Sequence, residues 1–336
     1  MPAERLDWID RLRGIGIVLV VLGHNPWLKN HQLHAAIYLF HMPLFFYAAG
    51  LVHKEVPLTR YLRSRLRALL VPYLVCGVLF SLIAAKLDWR ALIANLIGVI
   101  AGVGDLMPQP HIWFLPCLFL VGIAQLVTLR NTSEMRTPRL LVILLVLLIF
   151  AQTSRYAMPG IEIDRDTVTY RALPWSLDLV PVGLAFFAFG ITVRRRYLHL
   201  VGSSAHHPVW ILVLAALVAA IGWYASGLGL MVLDLNHRLI EGVGTLPFAV
   251  VCVLVVSGLC VLIRGKAGSA LEYIGQRSLV IFLFHYYVQS RISTRIDGFG
   301  GAMVGFSCGL IVPLALDFAI RKYAVLEWIF YPKKTT

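Results

Sequence analysis

Apolar residues run along this chain in long blocks, not in the two-residue or three-to-four-residue rhythm of half-buried elements, so block length becomes the guide to structure. A hydrocarbon layer about 30 Å thick is crossed by a helix of about 20 mostly apolar residues. Ten blocks approach that length: 9–28, 34–53, 68–87, 112–129, 139–154, 175–193, 208–225, 245–263, 275–291 and 300–320. The predicted fold is therefore all-α, a polytopic membrane helix bundle of about ten transmembrane helices, read as a single integral-membrane domain over 1–336. One further apolar run, 91–104, has only 14 residues, a length that suits an interfacial or re-entrant piece. No internal repeat is visible, which weakens the case for a repeat-built transporter. No soluble domain is expected at either end. The first block is expected to be retained, because no small-residue cleavage site follows it.

Composition removes the soluble alternative. Of 336 residues, 59% are hydrophobic and 14% charged, with a mean hydropathy of +0.79, against roughly 25% charged in an average soluble domain. The net charge of +13 would suggest nucleic acid in a soluble protein. In a membrane protein basic residues mainly decide which loops stay in the cytoplasm, so no nucleic-acid partner is expected. With the N-terminus inside, 21 Lys and Arg fall on the inner side and 9 on the outer, which predicts both termini in the cytoplasm and 54–67, 130–139, 194–207 and 264–274 as inner loops. All eight tryptophans lie at or near block ends, where amphipathic rings meet headgroups. The five cysteines sit inside apolar blocks without a Cys-x-x-Cys pair. They read as small core residues, and no metal site is expected.

Ionisable groups inside a span are costly and are functional candidates by default. The first block holds Asp10, Arg13 and His24. Asp10 and Arg13, three apart, can pair on one face. Arg13 and His24, eleven apart, return to within about 20° of one direction with a rise of about 16 Å. Imidazole is the side chain best suited to take a proton from a hydroxyl near neutral pH, which makes His24 the candidate base. His41 and His285 reach a similar depth and read either as hydrogen-bonded core residues or as contributors to a substrate site. In KEVPLTRYLRSRLR (54–67), Arg60, Arg63 and Arg67 share a helical face and Arg65 points elsewhere. Topology alone accounts for such a cluster, and a guanidinium clamp on phosphate accounts for it equally. Trp113 and Phe114 read as belt residues or as an aromatic wall beside a substrate.

Five segments, taken together and in order, carry a resemblance: IDRLRGIGIVLVVLGH (9–24), FHMPLFFYAAG (40–50), RLRALLVPYL (65–74), IWFLPCLF (112–119) and SLVIFLFH (278–285). The chain resembles the membrane acyltransferase-3 family, and within it the polysaccharide O-acetyltransferases and fucose 4-O-acetylase-like members. The Arg-x10-His spacing of Arg13 and His24 is the most specific element. The resemblance implies a ten-helix enzyme of the cytoplasmic (inner) cell membrane. It would move an acyl group, usually acetyl, from acyl-CoA to a hydroxyl of an outward-facing glycan or lipid-linked saccharide, alone or with glycan-assembly proteins as partners. It also implies that Arg13 and His24 are needed for activity; Asp10 joins them as a candidate through its pairing with Arg13. The basic residues beside the third helix, Arg63, Arg65 and Arg67, would contribute to holding the donor, acetyl-CoA. From their depth and aromatic character, and apart from the resemblance, His41, Trp113 and His285 are the candidates for lining the substrate site. Two departures stand out. Ala49 replaces the serine that many relatives carry before the glycine, so no hydroxyl acts there, and no extracytoplasmic hydrolase-like domain is fused.

Acyl transfer needs a base for the hydroxyl, a stabiliser for the oxyanion and positioning of both reactants. His24 supplies the first, and the sequence names no oxyanion contact. The alternative function is a multi-helix transporter or flippase for a glycan, which would also show buried His and Arg. A scaffold would need no intramembrane charge stripe.

Overall fold

The computed structural model describes residues 7–29, 31–129, 142–143, 145–147, 149–150, 160–165, 168–196, 198, 206–293, 295–296 and 298–331. Among them, seven helical stretches are long and apolar enough to cross a membrane: Gln32–Leu51, Leu58–Ala85, Pro110–Thr128, Pro174–Arg195, Pro208–Gly227, Thr245–Leu262 and Gly298–Ile320. Two more of the expected spans appear as the helices Asp7–Gly23, of 17 residues, and Ser278–Ser293, of 16. The span expected over 139–154 falls largely outside the described residues. The short run at 91–104 is the helix Trp89–Ala101.

Proline sets the internal breaks. The block expected as one helix over 34–53 is two, Gln32–Tyr38 and His41–Leu51, because the ring of Pro43 clashes with the carbonyl four residues back, at Leu39. Ahead of Pro72 the helix Leu58–Arg65 passes through a π turn at Leu66–Leu70 before continuing as Val71–Ala85, the local widening by which a helix absorbs such a defect. Among the described residues there are two short hairpins, the antiparallel pair Ile161–Arg165 with Val168–Ala172, and Val232–Asp234 with Leu239–Glu241. The segment 264–274, expected as an inner loop, is helical over Gly265–Gln276.

The chain divides into two compact units. The first comprises residues 1–53, 189–233 and 240–317. Its helices are α1 (Asp7–Gly23), α2 (Gln32–Tyr38), α3 (His41–Leu51), the later part of α8 (Val180–Arg196), α9 (Pro208–Gly227), α10 (Thr245–Leu262), α11 (Gly265–Gln276), α12 (Ser278–Ser293) and α13 (Gly298–Ile320) up to Asp317. Helix α1 lies backbone to backbone on α11: a Cβ added at Gly14 would stand 2.2 Å from the Leu271 carbonyl oxygen, and one at Gly275 1.9 Å from that of Asp10. Arg11 ties the same pair through Glu272 at 2.7 Å. Arg194 caps the end of α3, donating to the Leu51 carbonyl at 2.8 Å. Arg277 pairs at 2.9 Å with Asp317, a carboxylate almost fully enclosed.

The second unit comprises 54–188, 234–239 and 318–336. It holds α4 (Leu58–Arg65), α5 (Val71–Ala85), α6 (Trp89–Ala101), α7 (Phe114–Thr128), the first hairpin and α14 (Ala324–Phe330). Gly77 lets α5 approach Val99 of α6, and Gly122 makes room for the Tyr61 ring. The Tyr73 hydroxyl donates to the Val99 carbonyl. Four of the five cysteines are buried, and all are free thiols, in keeping with their reading as small core residues.

Candidate active site

In the first unit, the dense apolar run of α1 ends at Gly23, and Asn25 redirects the chain. Its side chain accepts from the Trp27 amide at 3.1 Å and donates to the Ala302 carbonyl at 2.8 Å. His24 stands at that exit. Its backbone amide still bonds the Val20 carbonyl at 3.0 Å, so helical register continues through it and the common stripe with Arg13 survives. At the opposite end of α1, Arg13 and Asp10 pair at 3.7 Å, and Gln276 approaches the other Asp10 oxygen at 3.5 Å.

The structure brings His24 and His285 together. His285 Nε2 lies 3.4 Å from His24 Nδ1. His285 Nδ1 faces the carbonyls of Ile281 and Phe282 at 3.0 and 2.9 Å, and His24 Nδ1 faces that of Val20 at 2.9 Å. Carbonyl oxygens only accept, so the hydrogen-bond network assigns the proton of each neutral ring to Nδ1. His285 then presents a lone pair to the His24 N–H, and the basic nitrogen of His24 is Nε2. Tyr38 and Tyr286 meet the His24 ring edge-on, at centroid distances of 6.3 and 5.9 Å. His41 reaches this group indirectly. Its ring is 4.6 Å from that of Tyr38, and its Nδ1 is tied to the Ile37 carbonyl at 3.1 Å. His34 stacks on Tyr38 at 4.0 Å.

The basic cluster lies in the second unit. Arg63 is exposed at the end of α4. Arg65 leans over Tyr61 at 5.9 Å, and Arg67 stacks on Trp328 at 4.5 Å. The Nε of Arg67 is buried and has no hydrogen-bond partner among the described residues. Trp113 is 2% exposed, so it is a core ring of this unit, packed by Gly104 and edge-on to Phe114 at 6.2 Å.

A polar node in the same unit escaped the sequence reading as a site. Arg238, 6% exposed, donates to Asp178 at 2.9 Å, to Ser176 Oγ at 3.0 Å and to the Asn236 carbonyl at 2.6 Å. Next to it, His237 Nδ1 lies 2.6 Å from Asp234, with Asp105 3.5 Å from Nε2. Trp175, Ser176 and Arg238 all adopt left-handed backbone, with φ of 56°, 52° and 58°, a conformation that non-glycine residues hold only when surroundings enforce it. The only advance signal was the run of Asp, Asn, His and Arg over 234–238. Among the described residues, no three His, Cys, Asp or Glu side chains converge as metal ligands.

Comparison with known families supplies the deciding observation: residues 6–321 match the acyltransferase-3 family, described as an acyltransferase domain. The chain belongs to the acyltransferase-3 family. No curated protein matches it. The match spans nearly the whole chain, includes all nine candidate residues and covers both compact units. Together with its long apolar helices, this acyltransferase-3 membership makes the protein a membrane acyltransferase. Chemically, the His24–His285 pair can move a proton, and the Arg63–Arg67 segment can hold an anion.

Proposed function

We propose that this protein is an O-acyltransferase of the cytoplasmic (inner) cell membrane, with ten spans and both termini inside. It transfers an acyl group, acetyl in the simplest case, from cytoplasmic acyl-CoA to a hydroxyl of a cell-surface glycan or lipid-linked sugar. The observation that carries the reading is the tautomer pattern at His24, whose Nδ1–H is shared between the Val20 carbonyl and His285 Nε2, leaving Nε2 as the base. The acceptor oxygen attacks the thioester carbonyl as its proton passes to Nε2. A C–O bond forms, the C–S bond breaks, and the proton goes on to the departing thiolate. While His24 is cationic, the hydrogen bond from its Nδ1–H to His285 becomes charge-assisted and strengthens, so His285 orients and stabilises the base in the manner of a third group behind a catalytic histidine.

The donor side rests on chemistry of another kind. The phosphates of CoA are too charged to enter hydrocarbon, and a guanidinium fork fits them. The buried Nε of Arg67, without a hydrogen-bond partner among the described residues, is a donor that an anionic ligand would satisfy, with Arg63 and Arg65 adding charge. Arg13, paired to Asp10, supplies a countercharge to that carboxylate in α1.

The test is acetyl transfer by the detergent-purified protein. His24→Ala should turn over roughly 10²–10⁴-fold more slowly while binding acetyl-CoA with parental affinity. A variant that melts normally, binds donor and transfers at the parental rate removes His24 from the mechanism.

A further inference from the structure

On α12, His285, Gln289 and Ser293 recur every four residues, so they share one face, with about 6 Å of rise between neighbours and about 12 Å over the three. Gln289 is fully enclosed, at 0% exposure. Its Nε2 donates to the Val21 carbonyl at 2.8 Å, which fixes the orientation of the amide and makes Oε1 an acceptor. That oxygen is buried without a hydrogen-bond partner among the described residues, and so is Ser293 Oγ one turn further on. Across from them α13 packs close through two glycines. A Cβ at Gly309 would stand 2.9 Å from Gln289 Cγ, and one at Gly305 3.4 Å from Ser293 Oγ.

A buried acceptor left unmade is destabilising. One such oxygen is an isolated defect. Two of them in line with the His24–His285 pair have a common explanation in a ligand that brings O–H donors. We infer that Gln289 and Ser293 position the acceptor, which is a polyol: one hydroxyl reacts at His24, while its neighbours donate to Gln289 Oε1 and exchange a hydrogen bond with Ser293 Oγ. The row's length of about 12 Å suits a molecule of one or two sugar rings better than a simple alcohol. This inference rests on His24 as the base. Gln289 and Ser293 are positioning residues and leave the bond changes of the transfer unaltered.

The experiment compares acceptors that differ only in hydroxyl content. Purified protein with acetyl-CoA is offered cyclohexanol, with one hydroxyl on a six-membered ring, or a panel of methyl glucoside, galactoside and mannoside. The parental protein should acetylate at least one glycoside in preference to cyclohexanol. Gln289→Leu and Ser293→Ala should each reduce that preference about tenfold, the factor expected of one neutral hydrogen bond, with cyclohexanol turnover and the KM for acetyl-CoA unchanged. A parental protein without the preference overturns the inference, as does a preference that survives both variants or an equal loss on all alcohols. If Gln289→Leu fails to fold, Ser293→Ala, which removes a single hydroxyl, decides alone. His24→Ala should slow every alcohol alike. Undiminished rates there would reject the base, while the glycoside-to-cyclohexanol ratio in the row variants would still judge the row.

Discussion

The helix that carries Asp10, Arg13 and His24 meets α11 backbone to backbone, and that seam makes a quantitative prediction. A Cβ at Gly275 would lie 1.9 Å from the Asp10 carbonyl oxygen and 2.8 Å from the Gly14 nitrogen, and a Cβ at Gly14 2.2 Å from the Leu271 carbonyl oxygen. A carbon and an oxygen settle no closer than about 3.3 Å, so either alanine must part the helices by about 1 Å or more. The obstructing atoms are backbone and cannot rotate aside. Overpacking of this kind costs typically 1–3 kcal/mol, and the upper end applies here, because the part-buried contact of Arg11 with Glu272 at 2.7 Å would stretch as well. Alanine recovers about 1 kcal/mol through its better helix propensity. The net loss for Gly275→Ala is therefore about 2 kcal/mol, or about 5 °C in melting temperature by the scaling for larger domains. One separation serves both sites, so Gly14→Ala/Gly275→Ala should cost about as much as the worse single variant, a coupling of about 2 kcal/mol. Gly16→Ala is the control. Its Cβ would meet the Leu44 side-chain tip at 2.8 Å, which can move, and the loss should stay under about 1 kcal/mol. Thermal melting of the four purified variants measures all of this. A Gly275→Ala protein that melts with the parent, or a double variant whose losses add, would refute the close seam.

Three further outcomes are expected. His285→Leu removes the acceptor behind the His24 Nδ1–H and should lower turnover by about tenfold or more, the loss of one hydrogen bond that strengthens in the transition state. An unchanged kcat would make His285 a core residue only. Arg67→Ala should raise the KM for acetyl-CoA by about tenfold or more, less so at high salt, and Arg67→Lys should not restore it, since an ammonium neither forks nor stacks on Trp328; rescue by lysine would reduce the site to simple charge. A single cysteine at Glu162, an exposed side chain, should react with an impermeant thiol reagent outside sealed cells and one at Ser64 should not, and labelling of position 64 would reverse the orientation.

The sequence was informative wherever one local rule governs. Block length located the helices, and the spacing of Arg13 and His24 placed both on one stripe, because rise and rotation per residue are fixed. Proline effects were equally local, yet the break between Tyr38 and His41 passed unread: apolar content continues through it, and only the missing N–H of Pro43 and its clash with Leu39 mark it. The helix Gly265–Gln276 reads as a loop from its glycines, weak in an isolated helix, yet Gly275 is the residue that lets it meet the backbone of Asp10. Likewise the pairing of His285 with His24 depends on which helices become neighbours, and Trp113 could not be told from a belt residue until its burial was known. The Arg238 node depends on left-handed backbone at Trp175, Ser176 and Arg238, a property of the assembled loops that no residue type announces.

The residues that carry chemistry and the residues that carry packing share α1, and that overlap constrains what activity data can say. Asp10 illustrates it. Its carboxylate pairs with Arg13 at 3.7 Å, while its backbone carbonyl is the atom that forbids a side chain at Gly275. Removing the guanidinium by Arg13→Ala takes away the countercharge 3.7 Å from that carboxylate, and weakening a part-buried ion pair from one side is destabilising. Activity would then be lost through the position of α1 even if Arg13 never touches a substrate. His24 lies at the far end of the helix, beyond the glycine seam, on a turn held independently by Asn25 through Trp27 and Ala302. A His24 substitution therefore perturbs chemistry with the seam intact, whereas an Arg13 substitution perturbs both. Loss of function at Arg13 is evidence for a catalytic role only when the melting temperature and the Arg11–Glu272 contact are unchanged.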